Sequence, residues 1–178
     1  MGRLTISTAM TVDGLVDVTD WFVSDGGGHD RAALDRFRQA EAMLLGRKTY
    51  EGLAGYWSPL EGDWADPING MPKYVASRTL EGPLEWNATL LEGDATEAVP
   101  RLKEEVGGDL FMSGCGELAR ALLEHGLVDE LLFWVHPALS GPGTRPFGEN
   151  RTIRLRLAES TEFDSGVVLL RYEPLPAG

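Results

Sequence analysis

Cysteine is nearly absent from this chain of 178 residues: Cys115 stands alone. A lone cysteine cannot close an internal disulfide and cannot supply a thiolate cluster for a metal. Histidine is scarce as well. His29, His125 and His136 are far apart and lack the HxxxH or HxH spacing of common metal sites, so no metal is expected. Positive charge is short, with 16 Lys and Arg against 28 Asp and Glu and a formal net charge of −12. That deficit argues against a nucleic-acid surface, which needs a clustered basic face, and against binding to anionic membranes. No stretch approaches the roughly 20 apolar residues of a transmembrane helix. The opening MGRLTISTAMTVDG lacks the apolar core of an export signal. Gly2 is followed by Ile6 where a myristoylation motif wants Ser or Thr. The expected location is the cytoplasm, with neither membrane nor nucleic acid as a partner.

What is present is ordinary for a globular protein: 43% hydrophobic and 25% charged residues. The length suits one domain, residues 1–178, around one core. Leu4–Met10 alternates and reads as a strand, and Asp13-Gly14 reads as a turn. Ser24–Gly28 reads as a flexible loop, and His29–Ala42 carries apolar residues at helical spacing. Met43–Leu45 is a buried strand closed by Gly46, and Thr49 caps a short helix through Leu53. Residues 54–72, rich in Gly, Pro, Trp and Asp, read as a long irregular loop of the kind that often carries function. Further strands are expected at Tyr74–Ser77, Ala88–Leu91, Leu110–Ser113 and Glu130–Val135, with helices at Ala95–Val106 and Glu117–His125. The tail reads as strands near 152–158 and 160–164, then Val167–Tyr172 after the turn at Asp164–Gly166. Strand and helix alternate and an antiparallel hairpin closes the chain. That order predicts a three-layer α/β/α fold on a mixed, mostly parallel sheet.

Three places carry chemistry. Leu110–Ser113 runs into Gly114-Cys115-Gly116 and then the helix starting at Glu117-Leu118. Small residues let a ligand approach the backbone, and a helix N-terminus offers free N–H groups and a positive dipole end. Together they suit a pyrophosphate, although the third glycine of GxGxxG is missing. A tight strand-to-helix turn would look the same. Leu44-Leu45-Gly46-Arg47-Lys48-Thr49-Tyr50-Glu51 repeats the design with two cations and a hydroxyl at its mouth; a solvated charge pair beside a cap is the plainer reading. Ser77-Arg78-Thr79 follows the third strand, where a Ser and an Arg suit a monophosphate or simply a polar loop. All three lie at the carboxyl ends of strands, where open α/β sheets bind ligands. Two phosphate sites and one Arg-bearing site describe a dinucleotide with a 2′-phosphate, and so NADPH better than NADH.

These residues also carry a resemblance. Leu45–Glu51 resembles the cofactor motif of dihydrofolate reductases, and Val75-Ala76-Ser77-Arg78-Thr79 resembles the segment that holds the 2′-phosphate in that superfamily. Gly116-Glu117-Leu118 through Gly126–Leu131, followed by Pro137 and Gly141-Pro142-Gly143, is similar to the RibD C-terminal domain family, the reductase half of the riboflavin-pathway deaminase–reductase and its stand-alone relatives. The start at Asp13-Gly14 also fits, with Thr11 where Ser is usual. The resemblance implies a dihydrofolate reductase-like fold, NADPH, hydride transfer and a homodimer. It places Ala9 near the nicotinamide, and Gly46, Arg47 and Thr49 on the phosphates. It also places Ser77 and Arg78 on the 2′-phosphate and Gly114, Cys115, Gly116, Glu117 and Leu118 around the pyrophosphate. The riboflavin-pathway enzyme has a substrate-touching glutamate just before the glycine turn, where this chain has Met112. Cys115 stands where relatives tend to have Gly; it reads as a tolerated small residue whose pKa a helix N-terminus would lower.

On the substrate side, Trp21, Tyr50, Trp57 and Trp64 are candidates to stack on a flat heterocycle, and core or loop packing explains each as well. Asp13 is the candidate to orient substrate or deliver a proton, with turn chemistry before Gly14 as its simpler role. No catalytic residue is assigned. The sequence thus points to an NADPH-dependent reductase of a pterin-, pyrimidine- or flavin-like compound. The alternative is a non-catalytic nucleotide- or flavin-binding protein on the same fold.

Overall fold

A computed structural model describes residues 2–18, 20–24, 26–148 and 152–176. Eight strands form one sheet in the order β4-β3-β2-β5-β1-β6-β8-β7. They are β1 (Leu4–Thr11), β2 (Ala42–Gly46), β3 (Lys73–Ala76), β4 (Ala88–Leu90), β5 (Leu110–Ser113), β6 (Glu130–His136), β7 (Leu155–Glu162) and β8 (Val168–Pro174). Pairings from β4 across to β6 are parallel. β8 runs antiparallel to both β6 and β7. The expected mixed, mostly parallel sheet with a C-terminal hairpin is therefore the observed one.

Strand alternation sorts the core into two layers. Leu4 and Ile6 of β1, Leu44, Leu110, Met112 and Leu131 pack under α4 (Ala95–Glu105) and α5 (Glu117–Glu124), whose Val99, Leu102, Ala119 and Leu122 face them. On the other face Met43, Leu45 and Val75 meet α2 (Arg47–Trp57) and α3 (Ala65–Gly70). There α1 (Gly28–Gln39) lays Ala32 and Ala33 against the Leu132 and Trp134 layer. No helix among the described residues is long and apolar enough to cross a membrane.

Three expectations change. The 54–72 stretch is not an irregular loop: α2 continues to Trp57 and α3 follows. Tyr50, Leu53, Ala54 and Trp57 form an apolar stripe at helical spacing, and Gly52 and Gly55, on the outer side, concealed it. The two tail strands expected at 152–158 and 160–164 are one strand, β7, with a register shift between Leu157 and Glu159; a bulge breaks the alternation that sequence reading relies on. The first helix ends at Gln39, and Ala42 already belongs to β2.

Lys73 is 1% exposed at the start of β3. Its ammonium donates to the carbonyls of Asn69 (2.9 Å) and Met71 (2.7 Å) and lies 4.2 Å from the Trp86 ring centre. No carboxylate pairs with it among the described residues, and burial pulls its pKa from 10.5 to about 8. The folded chain therefore holds this proton less tightly than the unfolded chain does. Stability should rise as pH goes from about 8 towards 10.5, by up to about 3 kcal/mol. Denaturant midpoints measured across that window should climb in the native chain and climb less in Lys73→Met; equal slopes would refute this account.

Candidate functional site

Helices change face between β2 and β5. The chain leaves β2 for α2 on one side of the sheet and leaves β5 for α5 on the other, and β2 and β5 are neighbours. Such a switch point opens a crevice beyond the carboxyl ends of the two strands. The starts of both helices border it. Gly46 is the N-cap of α2 and Gly116 the N-cap of α5, and neither helix start has a side-chain cap. By contrast, Asp94 caps α4 by accepting from the Thr96 N–H. Two sets of uncapped N–H groups thus lie at one crevice, a setting that favours anions.

The two starts lie close together. A Cβ on Gly114 would sit 3.5 Å from the Thr49 hydroxyl, and one on Gly46 would sit 3.8 Å from the Leu118 side chain. Gly114 has φ +109°, a conformation that side chains rarely take. Gly46, Thr49, Gly114, Gly116 and Leu118, singled out separately from the sequence, therefore meet in one place. Arg47 borders it and pairs at 3.4 Å with Glu51 on the next turn of α2. Glu117 opens α5 and is exposed.

Ser77 and Arg78 follow β3, the next strand over. The Ser77 hydroxyl accepts from the N–H groups of Thr79 (3.2 Å) and Leu80 (3.0 Å), which shapes the turn. Arg78 is exposed, and its charge helps hold the Asp94 carboxyl below its usual range, after the hydrogen bonds from Thr96.

Cys115 is half-buried, and burial pushes its thiol up, against the expected lowering by the helix start. Desolvation disfavours the thiolate, which fits a small packing residue better than an activated nucleophile. The Thr8 hydroxyl beside it is 5% exposed and makes no hydrogen bond of ordinary geometry. Ala9 follows on β1 and packs with Trp134 and Phe163.

Asp13 does turn work. It accepts from the Thr11 hydroxyl (2.6 Å) and from the N–H groups of Ser140 (3.2 Å) and Gly141 (3.1 Å). The Thr11 bond, then the two backbone bonds, hold its pKa below the usual carboxylate value, so Asp13 is ionised at neutral pH and has no proton to donate. Asp17, which the sequence did not single out, repeats the device by accepting from the Thr144 N–H at 2.5 Å. Two aspartates thus tie the 12–17 segment to the 138–147 segment at the carboxyl ends of β1 and β6. For Asp13→Ala we expect the Ser140 and Gly141 amides to exchange with solvent about tenfold faster or more. Unchanged protection in a hydrogen-exchange measurement would refute the tie.

Trp21 and Tyr50 are more buried than a stacking role asks, and Trp57 and Trp64 are half-buried. Trp21 is 7% exposed, donates its indole N–H to the Asp17 carbonyl (2.6 Å) and sets its edge on His136. Tyr50 is 8% exposed and donates to the Glu85 carbonyl. Trp57 and Trp64 stack on each other, with Phe37 against Trp64. Met112 is 3% exposed, within the layer under α4 and α5. His136 accepts from the Val23 N–H through Nδ1, and burial, then the neighbouring His29, lowers its pKa. Only chain pairing over more than a hundred residues brings these groups together, so no local motif marks them.

Comparison with known proteins adds the following. A model of the RibD C-terminal domain matches residues 3–169. The uncharacterized protein YyaP of Bacillus subtilis (strain 168) is 29% identical over 182 residues, covering 96% of this chain and 94% of the relative. A candidate riboflavin biosynthesis protein of Shewanella sp. PV-4 shares the fold with a TM-score of 0.78 at 20% identity, over 98% of this chain and 99% of that one. The Thermotoga maritima diaminohydroxyphosphoribosylaminopyrimidine deaminase/5-amino-6-(5-phosphoribosylamino)uracil reductase does so with a TM-score of 0.67 at 14% identity, over 98% of this chain and 57% of that one.

Proposed function

The chain belongs to the RibD C-terminal domain family, and from that membership we propose that it is an NADPH-dependent reductase of a small pterin-, pyrimidine- or flavin-like heterocycle. The observation that carries the proposal is the meeting of two uncapped helix starts across the β2/β5 switch point, with Gly114 close against Thr49. The residues present fit the cofactor, because the bare edge at Gly114 leaves open the space a Cβ would fill. Gly46, Arg47 and Thr49 would hold the phosphates from the α2 side. The backbone of Gly114, Cys115, Gly116, Glu117 and Leu118 would wrap the pyrophosphate from the α5 side. Ser77 would keep the turn that presents Arg78 to the 2′-phosphate. Ala9, small and on the central strand, would leave room for the nicotinamide. When bound, NADPH supplies the hydride. The protein's part is to bind, orient and exclude water.

Membership in this family supports a reductase-like role, and the substrate is the open part of the proposal. Met112 lies in the core where the riboflavin-pathway enzyme is expected to use a glutamate, so the reading extends beyond the riboflavin precursor. With Asp13 ionised and tied to the 140–141 backbone, protons would come from solvent. That same observation favours the second reading, a non-catalytic nucleotide- or flavin-binding protein. Titration of the purified chain with NADPH and, separately, NADH, followed by nicotinamide fluorescence, tests the cofactor. We expect NADPH to bind at least about tenfold tighter, as one or two charge-assisted bonds to the extra phosphate allow. Absence of binding by either nucleotide would sink the cofactor assignment. Tight NADPH binding without NADPH oxidation across pterin, pyrimidine and flavin substrates would favour the second reading.

A further inference from the structure

We propose that the chain carries a second anion site, for a small oxyanion of phosphate or short-carboxylate size, at the amino edge of the sheet, opposite the nucleotide crevice. A cavity of ≈ 120 Å³ lies there between the last turn of α1 and strands β1, β5, β6 and β8, lined by Arg3, Thr5, Arg36, Gln39, Glu130 and Arg171 among others. The inference is independent of the reductase reading and uses none of its residues.

The sheet face beneath this cavity breaks the pattern of the layer it belongs to. Thr5 lies across from Phe111 on one side and from Glu130 on the other, with Arg171 on the strand beyond. Two residues further along β6, the same face carries Leu132, then Trp134, packed with Leu169 and Val167. A helix over a sheet calls for apolar residues, and buried charges are costly unless they are paired or serve a function. Glu130 is 4% exposed and takes Arg171 Nη1 at 3.0 Å and Arg3 Nη2 at 3.6 Å. The Thr5 hydroxyl donates to the same carboxylate at 3.4 Å.

The charge balance at the lining is positive in a chain of net charge −12. Three guanidiniums line the cavity against two carboxylates, Glu130 and Asp109, and Asp109 is engaged by the Arg3 backbone N–H at 2.8 Å. Arg171 also holds the exposed Glu159 through Nε at 3.1 Å. Arg36 has no ion-pair partner among the described residues. An arginine without a counter-ion, beside two others already gathered by one buried glutamate, presents planar N–H forks that match an oxyanion. Gln39 and Thr5 add neutral hydrogen-bonding groups to the wall. The volume admits one phosphate or a carboxylate of a few carbons, and no nucleotide.

Thermal unfolding at low ionic strength tests the site. Inorganic phosphate and, in parallel, acetate are added to the intact chain at about 10 mM, with chloride of equal ionic strength as the reference. If the oxyanion binds with a Kd near 1 mM, we expect a rise in Tm of about 2–6 °C with the preferred anion. Arg36→Met, at a partly exposed helix position, should fold normally and lose the rise, and Arg36→Lys should keep part of it. The larger of the phosphate and acetate responses identifies the class of anion. No rise with either anion would overturn the proposal. So would a rise that persists in Arg36→Met and disappears in Arg47→Met, because the anion would then sit in the nucleotide crevice.

Discussion

Asp129→Ala is expected to destabilise the chain by about 3–5 kcal/mol, a large part of what holds a domain of this size folded. The Asp129 carboxylate accepts from the backbone N–H of Leu4 at 2.6 Å and from the Lys103 ammonium at 2.5 Å. Lys103 is 5% exposed on α4, and its other partner is the Leu127 carbonyl at 3.4 Å. Removing the carboxylate would leave a buried ammonium with one weak contact and would free the first N–H of the central strand. Desolvation of that uncompensated charge sets the size of the effect. The loss should appear as a lower denaturant midpoint with an unchanged slope. The double variant Lys103→Met/Asp129→Ala should recover much of it, because the stranded charge goes too. A single variant within about 1 kcal/mol of the native chain would show that water reaches the Lys103 ammonium past the partly exposed Asp129.

The same pair shows what sequence reading reaches. Asp129 and Glu130 sit between a helix and a strand, a place a sequence reader can see, and each serves an internal charge pair. Their partners were not legible, because Lys103 and Arg171 lie 26 and 41 residues away and meet them only once α4 and β8 are in place. The crevice lay at the opposite extreme. Each half of it is a continuous strand–glycine–helix segment, so the local pattern carried the backbone geometry, and the strand order supplied only the pairing of the halves. Asp13 and Asp17 fall between these cases. Asp before Gly announced a turn, yet the backbone groups it holds belong to residues 140 and 141, beyond any local signal. The stacking candidates show where composition stops. Composition marks a tryptophan as able to line a pocket, while burial is decided by helix faces such as the Tyr50–Trp57 stripe, whose period two glycines had hidden.

If the chain binds NADPH as proposed, Arg78→Ala should remove the preference for NADPH over NADH, weakening NADPH binding by about 10- to 100-fold and leaving NADH nearly unchanged. The argument rests on position and charge. Arg78 follows β3, one strand over from the crevice, on a turn whose shape the Ser77 hydroxyl sets by accepting two backbone N–H groups. Asp94 is the acidic group whose carboxyl feels the Arg78 charge, and it is already engaged by Thr96. The Arg78 guanidinium is therefore available to a phosphate. An exposed guanidinium delivers less than a buried one, so the preference of the native chain should also shrink as salt is raised, while NADH affinity responds less. Ser77→Ala would act through the turn and should weaken NADPH by less than Arg78→Ala, without changing the salt dependence. If Arg78→Ala left NADPH affinity intact, the extra phosphate would lie elsewhere. Lys48, exposed beside Arg47 at the start of α2, is then the next cation to test. A loss of preference in Lys48→Ala in place of Arg78→Ala would move the adenosine end of the nucleotide from β3 to the first turn of α2.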